Sequence, residues 1–544
     1  MSDDLLKQER ALMTIASVSL NVHLPLDRFY NVDLIQKLMN IANQLQTRAS
    51  IFALDALKNL INQAYLIERK DFAEGILKLG YLNCIHELIQ KALTLLDHDS
   101  KLPQQMQNAQ SIDLYQLIVE QSFINLSELF HFIDQGGFQL VQQHFEAINN
   151  CMVKILGYQT PQQVFMKQFS HLYKPADKPP SQKQQKDDVE EEEDDDAMED
   201  QEVENDEELK EVKEDAVVKS SEFRMWRSLA KANQSILDLL CEIVALASSN
   251  EDDQDYEEVE EEEEAKQDNS SAPANDGNQH VIDIDQIKKF CSQLFADSEY
   301  LAKIVARAEA VPQYLGLPSD IELIMTDVQE SAFGLLYNLL QNLSEFVNQE
   351  QIVLIISAVR NMIDKNLYKC EETMFENLLQ TVQFVITKDP IQLRNYVSEN
   401  LLDPLIRLGN YVQSPEIKHL CISILSNLLT TEESQNKVHL TSFENIDVVT
   451  EILITACKSG HLILIAHALN GFYEIYSEAN YNQVLLDKQV LEMMKAGYQQ
   501  LELLCKQARK EKKYSKGEMG FARDMIENLP RFIEYKVNEM KLPK

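Results

Sequence analysis

Helical periodicity runs through almost the whole chain, and two acidic runs interrupt it. Apolar residues recur three and four positions apart, for example at Leu54, Leu57, Leu60 and Ile61. Glycine and proline number only 14 each in 544 residues, which favours long helices with few tight turns. Because no stretch shows the alternation of a strand, the fold class is predicted to be all-α.

A short apolar-Asn-apolar element recurs along the chain and predicts a repeat architecture. Its copies are centred on Asn59, Asn125, Asn338, Asn377, Asn427 and Asn470. The last four are 39, 50 and 43 residues apart, close to the ~40–47 residue period of HEAT and armadillo repeats. Such repeats stack because one helix pair cannot bury its apolar face alone. We therefore expect an armadillo/HEAT-repeat α-solenoid with acidic disordered insertions.

The two acidic runs concentrate the charge of the chain. The first, Asp187–Asp215, has 19 Asp or Glu against two Lys, and the second, Glu251–Asp268, has 12 against one Lys. Together they carry −28 of the formal net charge of −38. Neither run has enough apolar surface to offset the entropy of ordering. Long polyanionic insertions of this kind favour a strongly basic partner.

Composition shifts divide the chain into five predicted parts. Between the acidic runs lies one amphipathic helix that carries the only tryptophan, Trp226, and its apolar face is too rich to stay in solvent. The predicted parts are N-terminal armadillo-like repeats (1–172), an acidic linker (173–222), a solenoid helix (223–248), a second acidic loop (249–280) and C-terminal HEAT repeats (281–544).

Several classes of function find no support in the sequence. A pI of about 4.6 argues against direct nucleic-acid binding. The chain has no Gly-rich phosphate loop, GxSxG elbow or HExxH motif, so we expect no catalytic residues, no metal and no cofactor. No two of the eight cysteines form a CxxC pair, which is typical of free thiols in a reducing compartment. The apolar stretches are too short to span a bilayer, and the start MSDDLLKQER does not resemble a signal peptide.

The second acidic run is the stronger candidate for binding a basic protein. It places an aromatic residue among carboxylates, an arrangement that can anchor an acidic segment while its charges meet Arg and Lys. The candidate binding residues are Asp252, Asp253, Asp255, Tyr256, Glu257, Glu258, Glu260 and Glu261. A solvated, solubilising insertion is the alternative, and it is strongest for the first run.

The recurrent asparagines form a second candidate site. An asparagine on the inner helices of a solenoid offers both a donor and an acceptor to an extended peptide. The candidates are Asn338, Asn377, Asn427 and Asn470. The alternative is that each asparagine bonds a neighbouring helix or loop. A basic cluster from Lys506 to Lys516 likewise either contacts the acidic runs or forms a solvated turn.

Three stretches resemble the symportin family, also described as the HEAT-repeat-containing protein 3 family. They are RKEKKYS at Arg509–Ser515 with NLPRFIEYK at Asn528–Lys536, the helix running into DDQDYEE, and ILKLGYLNCIHELIQKAL at Ile76–Leu93. The family usually has tryptophan where this chain has Tyr256. The order of armadillo-like repeats, acidic insertions and HEAT repeats is also similar.

The resemblance implies a chaperone and nuclear import adaptor for the large-subunit ribosomal proteins that assemble with 5S rRNA, supporting large-subunit biogenesis. An acidic loop would hold one of these proteins and the superhelical groove a peptide of the other. Shuttling between cytoplasm and nucleus as a monomer is expected. An import receptor of the transportin type is also implied, although the family's basic N-terminal tail is not seen here, so its docking site stays open.

Two other interpretations compete with this one. The chain would serve equally as a generic acidic HEAT-repeat scaffold, such as a histone or assembly chaperone. It would also fit a regulatory subunit of an enzyme complex. Binding through acidic loops should weaken steeply as ionic strength rises, whereas docking through apolar helix faces should not.

Overall fold

The structure is a computed structural model of the chain, and most of its described residues are helical. Two compact units emerge, one formed by residues 1–307 with 311–346 and the other by residues 308–310 with 347–544. The described residues are 3–19, 32–44, 48–66, 75–76, 78–97, 146, 149–175, 221–247, 284–295, 298–309, 314–315, 317–366, 372–388, 392–429, 443–477, 481–511 and 513–541.

Eighteen α-helices have assigned bounds within these residues. In the first unit they are α1 Asp3–Ser19, α2 Val32–Gln44, α3 Arg48–Leu66, α4 Tyr81–Asp97, α5 Pro161–Gln168, α6 Ser221–Leu246, α7 Ile284–Phe295, α8 Ser298–Ala308 and α9 Ser319–Leu343. In the second unit they are α10 Gln349–Asn366, α11 Glu372–Lys388, α12 Gln392–Tyr411, α13 Pro415–Leu429, α14 Phe443–Cys457, α15 Leu462–Ile475, α16 Asn482–Asp487, α17 Val490–Glu511 and α18 Lys516–Lys541.

The helices of the second unit form two layers. In the first layer α10, α12, α14 and α17 pack side by side, and in the second α11, α13, α15 and α18 do the same. Successive helices along the chain also pack against each other across the layers. This arrangement is that of a repeat solenoid, because each helix pair buries its apolar face against the next pair.

Close packing of α15 against α13 in its own layer and α14 in the other depends on a glycine. Gly471 in α15 is buried, and a Cβ atom there would lie 2.5 Å from Ser426 Oγ and 2.9 Å from a methyl group of Leu453. Helices α13 and α14 therefore approach α15 more closely than any larger side chain would permit.

In the first unit α6 is the central element. Its apolar face packs on α5, α7 and α9, and Trp226 is only 1 % exposed. The predicted apolar residues of this helix are all buried: Leu229, Ile236, Leu239, Leu240 and Ile243. The structure thus confirms that the helix between the acidic runs docks into the repeats.

A two-residue strand pair joins distant parts of the first unit. Strand β1, Lys174–Pro175, is antiparallel to β2, Tyr314–Leu315. Strands this short leave no periodic pattern in a sequence. The pair leaves the all-α class unchanged, and the predicted α-solenoid is confirmed.

The seven described cysteines are free thiols, and six of them are buried. Burial raises the pKa of Cys151, Cys291 and Cys457 to about 12. At neutral pH these thiols stay protonated, so they behave as small apolar core residues.

Candidate partner-binding surfaces

The acidic runs lie outside the described residues, but their attachment points lie within them. Because the second run lies outside the described residues, its candidate binding residues, Asp252 to Glu261, stay a prediction. Helix α6 separates the two runs: the first ends six residues before Ser221, and the second begins four residues after Ala247. At 1.5 Å per residue, the 26 residues of α6 make this helix about 39 Å long.

One aromatic cluster holds both ends of the segment that contains the first run. On the N-terminal side, Tyr173 stacks on Phe165 with ring centroids 6.2 Å apart. On the C-terminal side, Phe223 meets Trp226 at 5.5 Å, and Trp226 meets Phe165 at 5.7 Å. The Trp226 indole N–H donates to the carbonyl of Pro161 at 2.8 Å. Residues 176–220 are therefore anchored at both ends to the same small core.

A buried arginine ties α6 to its neighbours. Arg307 donates to Asn233 Oδ1 at 2.5 Å, to the carbonyl of Lys303 at 2.7 Å and to the carbonyl of Ile155 at 3.1 Å. Gln162 Nε2 donates to the carbonyl of Arg307 at 2.9 Å. Burial lowers the pKa of Arg307 to about 10, so the guanidinium remains charged at neutral pH. These contacts fix the position of α6 and hence the origin of both acidic runs.

The second candidate site is the solvent side of α11, α13 and α15, which we call the amide face. Asn377, Asn427 and Asn470 lie half-buried on it, one on each helix. In α11 and α13 the asparagine is followed by two buried leucines, the periodic element seen in the sequence. The structure thus places these three candidates on one layer of the same unit.

Three asparagines of the recurring element form hydrogen bonds within the protein. Asn59 Nδ2 donates to the carbonyl of Ala16 and links α3 to α1. Asn338 Nδ2 lies 2.9 Å from Cys241 Sγ and links α9 to α6. Asn470 Nδ2 bonds Glu474 on its own helix at 2.7 Å. Asn338, which lies in the first unit, therefore bonds a neighbouring helix.

An aromatic column crosses the amide face. The rings of His419 and His467 lie 4.7 Å apart, and His467 and Phe521 lie 4.6 Å apart, which joins α13, α15 and α18. Burial, together with His419, lowers the pKa of His467 to about 3. Burial also lowers the pKa of His419, although the carboxylates of Glu376, Glu416 and Glu518 raise it in part. Both imidazoles are therefore neutral at pH 7.

Sequence reasoning did not find this column. His419 and His467 are 48 residues apart and belong to different helices, so no local spacing connects them. The face combines neutral rings, amide groups and nearby carboxylates. It can stack against apolar or cationic side chains and hydrogen-bond an extended backbone.

Residues of the C-terminal motifs hold the last helix in place. Phe532 packs on Tyr473 of α15 with centroids 4.8 Å apart. Lys536 is fully buried and donates to Glu539 at 2.7 Å and to Asn482 at 3.3 Å. In RKEKKYS, Tyr514 meets the edge of the His461 ring at 6.0 Å. Contacts of these motif residues thus attach the last helix, α18, to the rest of the second unit.

A polar cleft lies on the first layer of the second unit. It encloses about 290 Å³ and is lined by Arg360, Asn400, Asp403, Pro404 and Arg407 with their neighbours. Both arginines pair with Asp364, at 3.7 and 2.5 Å. The positive charge of the cleft is therefore largely compensated within the protein.

Among the residues that the structure describes, no helix is long and apolar enough to cross a membrane. In the same residues, no group of three or more His, Cys, Asp or Glu side chains is placed to hold a metal ion.

Comparison with known proteins identifies the C-terminal part of the chain. Residues 290–540 match the family described as SYO1-like, TPR repeats. This match supports the SYO1-like, or symportin, family for this part of the chain. The description of this family calls its helix pairs TPR repeats, whereas the sequence pattern predicted HEAT repeats. Both kinds of repeat stack into solenoids. The curated proteins contain no match to the chain.

Proposed function

We propose that this protein is a member of the SYO1-like family and a non-enzymatic chaperone and nuclear import adaptor for the ribosomal proteins of the 5S ribonucleoprotein. Its acidic runs would neutralise and shield a basic ribosomal protein. The amide face would bind an extended segment of a second one.

The observation that carries the proposal is the placement of the two polyanions on the solenoid. They leave opposite ends of one buried helix, α6, whose position is set by Trp226 and Arg307. Charges attached to a rigid helix act together on a basic partner, because the attachment limits how far they diffuse apart. A polyanion also mimics the charge of RNA, so RNA-binding proteins are suitable ligands.

The amide face supports the second part of the proposal. It lies on three adjacent helices and offers half-buried amides beside the His419–His467–Phe521 column. Extended peptides bind such surfaces through backbone hydrogen bonds, with side chains held in pockets between helices. A regulatory subunit docked through apolar helix faces would instead keep its partner as the salt concentration rises.

Affinity purification at low salt, followed by mass spectrometry, tests the proposed partners. We expect recovery of the two large-subunit ribosomal proteins that bind 5S rRNA, together with an import receptor of the transportin type. The ribosomal protein held by the acidic runs should be lost as salt rises from 50 to 500 mM, because its binding is electrostatic. Recovery of histones alone would support the generic acidic chaperone, and salt-resistant recovery of enzyme subunits would support the regulatory role.

Localisation follows from the same proposal. An adaptor that enters the nucleus with its cargo and returns without it should be present in both cytoplasm and nucleus. Fluorescence imaging of the tagged protein should show nuclear accumulation when export is blocked. A signal that stays cytoplasmic under export block would contradict the adaptor role and leave only a chaperone.

A further inference from the structure

The charged side chains of α6 that the structure describes form one solvent-facing stripe, and the sign of its charge changes along the helix. Arg224, Arg227, Lys231, Asp238 and Glu242 are exposed on a helix that is otherwise mostly buried. Their spacing of 3, 4, 7 and 4 residues keeps them within roughly 60° of one another around the axis. The first three are basic and the last two are acidic.

This order of charge is opposite to the one that stabilises an isolated helix. Helix N-termini favour acidic side chains and C-termini favour basic ones, because the backbone dipoles sum along the axis. Arg224 lies in the first turn of α6, and Glu242 lies near the last turn. The helix dipole therefore gives the basic half of the stripe no stabilisation.

The basic half of the stripe lies beside the end of the first acidic run. Only residues 216–220 separate Asp215 from the start of α6, and an extended chain of that length reaches roughly 20 Å. The other end of the segment is fixed by Tyr173 and β1 in the same aromatic core. Because both ends are held, the local concentration of carboxylates around the stripe is high, on the order of millimolar or more.

The second acidic run meets the opposite situation. It begins at Glu251, just beyond the half of the stripe that carries Asp238 and Glu242. Like charges repel, so α6 offers this run no docking surface there.

From this geometry we propose that Arg224, Arg227 and Lys231 form a docking site for the chain's own first acidic run, Asp187–Asp215. The two runs then have different roles. The first run is held against α6, so the basic side chains of the stripe compete with basic ligands for its carboxylates. The second run stays available to partners. The docking itself is independent of the proposed function; only the division of roles rests on it.

Zero-length cross-linking with a carbodiimide tests the docking directly, because the reagent joins a lysine amine to a carboxylate in contact with it. In the full chain at low salt, Lys231 should couple to residues 187–215 several times more often than the exposed Lys289 of α7 does. The coupling should fall in 500 mM salt. Equal coupling of Lys231 and Lys289, or preferential coupling of the first run to Lys506 or Lys513, would overturn the proposal.

Binding of a fluorescent oligolysine peptide provides a second, independent measurement. The triple variant R224Q/R227Q/K231Q should bind the peptide about three to ten times more tightly at low salt, because the first run is released. The matched variant K154Q/K288Q/K289Q removes the same charge elsewhere in the first unit and should change binding less than twofold. Equal gains in both variants would show a bulk charge effect and overturn the docking site. Neither measurement uses a ribosomal protein. A negative result for the docking site can therefore be distinguished from a negative result for the proposed function.

Discussion

At the scale of single residues, some buried polar side chains have partners that only the folded chain brings together. Arg307 bonds Ile155 and Asn233, which lie 152 and 74 residues away. His419 and His467 meet across two helices. Sequence spacing cannot reveal such pairs, because they depend on which helices become neighbours. The sequence could predict buried cysteines and the apolar face of α6, since these follow from composition and local periodicity.

Replacing Arg307 with methionine should destabilise the first unit by about 2–4 kcal/mol. The change leaves the buried amide oxygen of Asn233 without its donor, and the carbonyl of Ile155 keeps only the Tyr158 N–H. This cost exceeds the gain from removing a desolvated charge. Urea unfolding followed by the fluorescence of Trp226, the only tryptophan, reports on this unit. Lys289→Met on the exposed surface of α7 is the control and should change the free energy of unfolding by less than about 0.5 kcal/mol. An unchanged unfolding midpoint for R307M would contradict this assignment.

His467 should make the second unit less stable at mildly acidic pH. Burial lowers its pKa in the folded protein to about 3, whereas an unfolded histidine titrates near 6.5. Below pH 6.5 the unfolded state binds a proton that the folded state does not, so stability is lost as pH falls from 6.5 towards 3. Between pH 7 and pH 5 the loss should reach about 1–2 kcal/mol.

The pH dependence is measured by urea unfolding followed by circular dichroism. Because carboxylates elsewhere also titrate, the comparison is with His467→Phe, which keeps a ring between His419 and Phe521. The variant should lose about 1–2 kcal/mol less than the natural protein between pH 7 and pH 5. Parallel curves for the two proteins would show that His467 does not contribute.

At the scale of secondary-structure elements, the sequence predicted helices and their faces better than their connections. The predicted helix from about Phe223 to Leu246 is α6, Ser221–Leu246. Its neighbours α5, α7 and α9 could not be identified, because many helices carry similar apolar faces. The asparagine element correctly marked helices of one layer in α11, α13 and α15, since a repeat places equivalent residues at equivalent positions. The contacts of each asparagine were not predictable from the element.

A substitution at Gly471 tests how closely α13 and α14 pack on α15. Alanine is the better helix former by about 1 kcal/mol, but its Cβ would lie 2.5 Å from Ser426 Oγ. We expect Gly471→Ala to lower the free energy of unfolding by about 1–3 kcal/mol because overpacking dominates. Gly520→Ala in α18 is the matched control, since nothing lies within 4 Å of its Cβ position. The control should instead gain up to about 1 kcal/mol, and a gain in both variants would contradict the close packing of α13 and α14 on α15.

At the scale of the whole molecule, charge and fold are separated along the chain. The solenoid supplies rigid helices, and the runs 187–215 and 251–268 supply −28 of the −38 charges. Their excess of acid over base was evident from composition alone. The burial of the helix between the runs was also predictable, from its apolar face, but the helices on which α6 packs were not.

Long-range electrostatics should dominate the association of this protein with a basic partner. Exposed charges are screened beyond roughly 10 Å at 0.1 M ionic strength. We therefore expect the association rate constant for a purified 5S-binding ribosomal protein to fall by at least about tenfold between 50 and 300 mM salt, while the dissociation rate changes less. Stopped-flow fluorescence measures both rates. A rate constant for association that is independent of salt would place recognition on apolar surfaces instead.

The most direct test of the central claim compares two charge-matched variants of the acidic runs. One carries Asp252, Asp253 and Asp255→Asn with Glu257 and Glu258→Gln, and the other carries Asp194, Asp195, Asp196 and Asp200→Asn with Glu199→Gln. Binding of a purified 5S-associated ribosomal protein is measured by calorimetry at 100 mM salt, and helicity by circular dichroism. We predict that the first variant loses binding by at least about a hundredfold with unchanged helicity, while the second loses less than about threefold. Equal binding by the natural protein and the first variant would contradict capture of the ribosomal protein by the second acidic run.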